Sequence, residues 1–371
     1  MKTTFKLLFL FVCLCIVSCS DDESGSSQTD NFDRSAMLEN WADHIIIPAF
    51  EAFRVKTQNL KVKTSDFNAN PSEATLESLR AAYQETYIQF QTVSMFEIGM
   101  AETVNFRMRL NTYPTESDVI LQKIAANNFN LELPTSFDEQ GFPALDFLLN
   151  GLAETDAEII AFYTTDPNAE IYKNYLFALS STINDLTTEV TYDWTTSFRD
   201  TFVNNTSSSS TGAVDRLTND FVMYYEKYLR SGKIGIPAGA FTGNPVSQNV
   251  ESYYSAELSK TLYLTALQSV QDFFNGIHFG TTTNGIGFDD YLDYLNTIKN
   301  GENLSLLINN NFDATITQAA NLNDNLVEQV ETNNTEMLQA FDQLQKNVIL
   351  LKVDMMQALS ISVDYVDSDG D

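Results

Sequence analysis

Gly141-Phe142-Pro143-Ala144-Leu145-Asp146-Phe147-Leu148-Leu149-Asn150-Gly151 follows a polar loop that ends Asp138-Glu139-Gln140. Gly141 marks a turn. Pro143 suits the first turn of a helix, where its missing N–H leaves nothing unmade. Leu145, Phe147, Leu148 and Leu149 make that helix apolar on several sides, so the pattern predicts a buried helix. Asp146 is the one charged side chain inside the apolar run, and a buried carboxylate needs a partner, a metal or a proton. Two roles are open to it: a ligand, or a carboxylate that caps or pairs within a helix bundle. Its expected place within about one turn of the helix start, facing a cleft, would let the helix dipole favour its charge.

Helical spacing continues on both sides of this stretch. Met37, Trp41, Ile45 and Ala49 form one stripe, which Pro48 should kink or interrupt before the helix ends near Gln58. Asn70, Pro71 and Glu73 read as cap, first helical residue and capping acid, followed by the face Leu76, Leu79, Tyr83, Tyr87 and Phe90. Tyr175, Leu179, Ile183, Leu186, Val190 and Trp194 give a long amphipathic helix from Glu170 to Thr196. Beyond it, helices are expected from Val214 to Ser231-Gly232, from Glu251 to Asn275, and over 287–299, 302–330 and 335–360. Only 15 Gly and 8 Pro punctuate the chain, and no run alternates long enough to argue for a major sheet. The expected fold class is all-α. The run Asn204-Asn205-Thr206-Ser207-Ser208-Ser209-Ser210-Thr211-Gly212 is the clearest composition shift, so a first bundle over 33–203 and a second over 213–371 should meet at 204–212.

A hydrophobic content of 43% supports a packed core, and 371 residues suffice for two domains. The 50 acidic against 21 basic residues leave a net charge of −29, which opposes nucleic acid as a partner. Cys13, Cys15 and Cys19 are the three cysteines, so the body can hold neither a disulfide framework nor a thiolate metal site. His44 and His278 are the two histidines, which excludes a site built from three. Residues 1–18 read as a secretory signal: Lys2 and Lys6, then the apolar run Leu8 to Val17. Ile16-Val17-Ser18-Cys19 resembles a bacterial lipobox, which would make Cys19 a lipidated N-terminus. Residues 19–32, with Asp21-Asp22-Glu23, read as a flexible acidic tether.

Several segments together resemble the imelysin-like family of envelope proteins, named for an insulin-cleaving membrane peptidase. They are His44-Ile45-Ile46-Ile47-Pro48, the Gly141 stretch, Lys233-Ile234-Gly235-Ile236-Pro237, Val250-Glu251-Ser252-Tyr253-Tyr254-Ser255 and the ending Val363 to Asp371. The resemblance implies two helical bundles, a place in the bacterial envelope, a link to iron uptake, and a ligand or metal site at a Gly-x-His-x-x-Glu helix. It makes Gly141, Pro143, Asp146, Lys233, Pro237, Glu251 and Ser252 the motif residues. Pro143 stands where the family carries histidine and Asp146 where it carries glutamate. A zinc peptidase needs about three protein ligands and a general base, and Pro143 supplies no donor.

The expected function is a non-enzymatic lipoprotein of the cell envelope, lipid-anchored to the outer membrane and open to its outer surface, that binds a ligand or cation in connection with iron uptake. Asp146 with Glu97, Glu102 and Glu251 would offer hard oxygen ligands suited to iron or calcium. Its partners would be the membrane, through the lipid, and iron-uptake or other envelope proteins. A protein-binding surface scaffold and an imelysin-type metallopeptidase are the alternatives.

Overall fold

Asp33 accepts a hydrogen bond from Ala36 N at 3.0 Å and so starts helix α1 (Arg34–Asn40). A wide π turn, Trp41–Ile46, joins it to α2 (Ile47–Ala69). Pro48 has no N–H to close the regular ladder, and the widened turn before it absorbs the defect. The expected interruption is therefore a bulge, and the helix runs on to Ala69 rather than ending near Gln58. The His44 carbonyl, four residues before Pro48, accepts instead from Phe279 N at 2.8 Å.

The structure, a computed structural model, describes residues 30–366. The signal segment, Cys19 and nearly all of the tether lie outside the described residues, as do the last five positions of the acidic ending. From Phe32 onward the described chain packs as one unit. No helix in it is long and apolar enough to cross a membrane.

Helix α3 (Glu73–Phe90) is capped by Ser72, not Asn70: Thr75 N donates to Ser72 Oγ and Ser72 N to Thr75 Oγ1. Pro71 thus precedes the cap. α2 packs against both α3 and α5 (Ala169–Asp193), burying Phe50, Phe53, Leu60 and Phe67 on one side and Leu179, Ile183 and Val190 opposite. Between α3 and α5 the chain forms α4 (Gly141–Asp146), all six of whose residues are buried.

In the second half, α6 (Ala213–Met223) continues without a stop as a π-type helix, Tyr224–Gly235. The break expected at Ser231-Gly232 is absent, and the continuation carries Lys233 inward. Residues 251–255 are irregular rather than helical, since Ser252 takes the left-handed φ of 63°, and helical structure resumes only with a 3-10 turn at Ala256–Leu258. α7 (Ser259–Phe274) follows, then α8 (Leu304–Ala319) and α9 (Leu326–Ile349). The break between the last two falls at 320–325, where Asn325 caps α9. The break expected after residue 330 survives only as a local bend at Asn333 (φ −148°, ψ 68°). The one sheet among the described residues is the two-residue pairing of Ile298–Lys299 with Glu302–Asn303.

The serine run 204–212 is a loop closed on itself: Ala213 N donates to Asn205 O at 3.1 Å and Asn205 Nδ2 to Thr211 O at 2.7 Å. The helix sets on either side of it share one hydrophobic core. Trp41, from the first set, packs its ring on Phe273 and Phe288 at 5.1 and 4.7 Å. The fold is all-α, as its sequence pattern predicts.

Candidate functional site

Gly141 begins α4 with φ +75°, and a Cβ there would lie 2.2 Å from Leu110 O. No other residue fits that turn without moving the backbone. The helix that follows is held by Phe142, stacked on Tyr87 with ring centroids 4.4 Å apart. Asp146 is its sixth and last residue, so the carboxylate lies beyond the first turn and not at the dipole's positive end, where the pattern predicts it.

Donors from elsewhere take the dipole's place. Asp146 Oδ2 accepts from Tyr254 N at 2.8 Å and Ser255 N at 3.3 Å. Its Oδ1 accepts from Ser255 Oγ at 2.6 Å and Asn150 Nδ2 at 3.0 Å. The carboxylate is 1% exposed. Burial pushes its pKa above the ordinary value, and the hydrogen bonds from Ser255, Tyr254 and Asn150 pull the other way. The segment 250–255 is thereby clasped to α4. Gly151 makes room for it: a Cβ there would lie 2.4 Å from the Tyr254 ring.

Glu251, on the same segment, is buried and ion-paired with Lys233. It also accepts from Asn111 Nδ2 at 2.7 Å and Gln91 Nε2 at 3.2 Å, and Lys233 donates to Gln91 Oε1 at 2.8 Å. Burial pulls the Lys233 ammonium below its usual range while Glu251 opposes it. Ser252 Oγ bonds Ser255 Oγ at 2.7 Å and so closes the turn that presents the Tyr254 and Ser255 donors to Asp146. Pro237 is buried in a short turn of helix, where its carbonyl accepts from Val246 N at 2.8 Å.

Glu97 and Glu102 lie in another cluster. Glu97 accepts from Arg107 N at 2.8 Å and donates its own N–H to Asp220 Oδ2 at 2.5 Å. Arg107 and Asp220 form a buried ion pair at 2.9 Å. Burial raises the Glu97 carboxyl to about 7, with Arg107 opposing and Asp220 adding to the rise. Glu102 pairs with Arg216 at an exposed rim. The four acids expected to share a cation are thus divided among three settings. Among the described residues, no three of His, Cys, Asp or Glu gather as metal ligands. At the motif itself both Asp146 oxygens are taken, Pro143 offers no ligand atom and Glu251 is held by Lys233. These residues do not fit a bound metal.

Pro143 and Asp146 instead form one wall of a cavity of about 390 Å³, whose other walls include Ser117, Gln248, Tyr253 and Tyr254. Glu116 and Asp118 stand at it, and no Lys or Arg lines it. A volume of that size lies within the range of small-molecule sites, roughly 300–1,000 Å³. Its polar lining and missing positive charge suit a neutral or cationic ligand. Sequence reasoning missed Gln91, Asn111, Tyr254 and Ser255, which hold the two motif charges. It also missed Arg107 and Asp220, whose signal was charge placed between the apolar residues Phe106 and Leu110 and beside Phe221.

Comparisons with known proteins agree with this architecture. The family model for Imelysin (peptidase M75) matches residues 46–351. A solved structure described as an iron-regulated protein A precursor from Parabacteroides distasonis superposes with a TM-score of 0.69 at 17% identity, covering 88% of this chain and 96% of that one. An imelysin-like protein from Psychrobacter arcticum superposes with a TM-score of 0.67, also at 17% identity, covering 90% of this chain and 97% of that one. No curated protein matches the chain. With the family model spanning most of its length, the chain belongs to the imelysin family.

Proposed function

We propose that this imelysin-family chain is a cell-envelope lipoprotein, anchored through Cys19, that binds a small polar ligand and does not cleave peptides. The observation that carries the reading is the cavity of about 390 Å³ built against Pro143 and Asp146. Its position at the family motif, with the motif charges Asp146, Lys233 and Glu251 all locked by protein partners, favours holding a ligand over activating a water. The lipobox-like Ser18-Cys19 supports the anchor. The name of the Parabacteroides neighbour supports a link to iron supply, by way of the ligand rather than a metal ion at Asp146.

Native mass spectrometry of protein purified from its membrane fraction tests the reading. The expected result is a lipid-modified Cys19 and a retained small molecule that Ser117→Trp, which fills the cavity, releases. A mature N-terminus elsewhere without lipid would refute the anchor. A bound molecule indifferent to Ser117→Trp would refute the cavity. Cleavage of casein that Asp146→Ala abolishes would restore the peptidase reading.

A further inference from the structure

A second and separate cavity, of about 490 Å³, lies beside α7, where that helix meets the segment after α3 and the loop 277–280. Its apolar walls are Ile45, Met95, Phe96, Leu264, Phe273 and Ile316. The loop that closes it is pinned by a defect elsewhere. Pro48 frees the His44 carbonyl, which accepts from Phe279 N, and the His44 and His278 rings stack with centroids 4.3 Å apart. One wall is therefore a consequence of the π turn in the first helix.

The polar groups in the lining are few. Asp272 is half-buried, and its Oδ1 accepts from Gln268 Nε2 at 2.8 Å. Its second oxygen has no hydrogen-bond partner among the described residues. Burial pushes this carboxyl above the ordinary Asp value, a cost that a neighbouring cation would relieve. No Lys or Arg lines the cavity. Burial, then the neighbouring His44, holds His278 below the usual imidazole range, so it adds no positive charge at neutral pH.

We propose that this cavity binds a small organic amine, its ammonium on the free oxygen of Asp272 and its aliphatic or aromatic body against the apolar walls. An anion of the same body meets a carboxylate and no counter-charge. A neutral analogue keeps the apolar contacts and loses the charge-assisted hydrogen bond. The chain's net charge of −29 attracts cations in general, so the specific contribution is read from Asp272 alone.

Phenylpropylamine, phenylpropanol and phenylpropionate share one body and differ in head-group charge, and they serve as probes. Titration calorimetry on the full chain gives the affinities. Trp41, packed on the cavity wall residue Phe273, gives a fluorescence signal. The amine should bind about tenfold more tightly than the alcohol, the loss expected for one hydrogen bond to a charged group, and the carboxylate most weakly. Asp272→Asn, which leaves the rest of the acidic surface in place, should bring amine and alcohol to the same affinity. Leu264→Trp should abolish binding of both, and Ile316→Trp serves if that variant fails to fold. Equal binding of amine and alcohol, an amine advantage that survives Asp272→Asn, or no binding of the amine would each overturn the proposal.

Discussion

The Ser255 hydroxyl donates to Asp146 Oδ1 at 2.6 Å, joining residues 109 apart in sequence. With the N–H groups of Tyr254 and Ser255 it makes Asp146 the anchor of the 250–255 segment. Every partner of this carboxylate is a donor, so Asp146→Asn sets an NH₂ group against donors. The expected cost is about 1–3 kcal/mol in chemical denaturation. Titrations with calcium or ferric citrate should give the same result for both proteins. Metal binding lost with Asp146→Asn, at unchanged stability, would instead make Asp146 a ligand.

Lys233 and Glu251 should behave as a unit. Lys233→Met leaves Glu251 buried with only Gln91 and Asn111 as donors, and removing one partner of a buried pair costs about 3–5 kcal/mol. Lys233→Met with Glu251→Gln should be clearly more stable than the single Lys233→Met variant, because no charge remains unpaired. A double-mutant cycle by urea denaturation reads the interaction, and simple additivity would contradict it.

The helices were legible because their apolar residues recur at helical spacing, from Leu76 to Phe90 and from Tyr175 to Val190. Their irregularities were not. Whether Pro48 kinks a helix or is absorbed by a π turn depends on what accepts the freed carbonyl, here Phe279 N, some 230 residues away by the numbering. The same holds for Glu251 to Ser255. Periodicity favours a helix there, but the N–H groups of Tyr254 and Ser255 are worth more on a buried carboxylate than in a helical turn. Asp146 and Glu251 stood out as charges, while their partners Gln91, Asn111 and Ser255 are polar residues of ordinary kinds. Nothing local marks such residues as the ones that face a charge.

Gly141→Ala should destabilise beyond the usual effect of a glycine substitution. Its positive φ is strained for alanine, and the added Cβ meets Leu110 O at 2.2 Å. The strain alone is worth about 1–3 kcal/mol, and the clash adds to it. Thermal melts should show a large drop for Gly141→Ala, whereas Gly243→Ala, with φ +72° and nothing within 4 Å of its Cβ, isolates the backbone strain. Equal drops at the two positions would mean that the close approach to Leu110 contributes nothing.

Glu97 gives the pH dependence a sign. Burial holds its carboxyl at about 7 against an ordinary 4.5. Between those values the folded chain keeps a proton that the unfolded chain releases, so folding binds protons. The contribution of this group is therefore complete below pH 4.5, declines as pH rises, and is lost above about 7. Three charged neighbours act on it: Arg107, whose N–H it binds, opposes the rise, while Asp220 and then Glu102 add to it. Glu97→Gln keeps an oxygen for Arg107 N and removes the titration. The variant should match the parent near pH 4 and be the more stable by about 1–3 kcal/mol near pH 8. Other carboxylates titrate in both proteins, so the quantity to read is the difference between the two urea curves at each pH. A difference that stays constant from pH 4 to pH 8, or one that favours the parent as pH rises, would show that folding does not raise the Glu97 pKa.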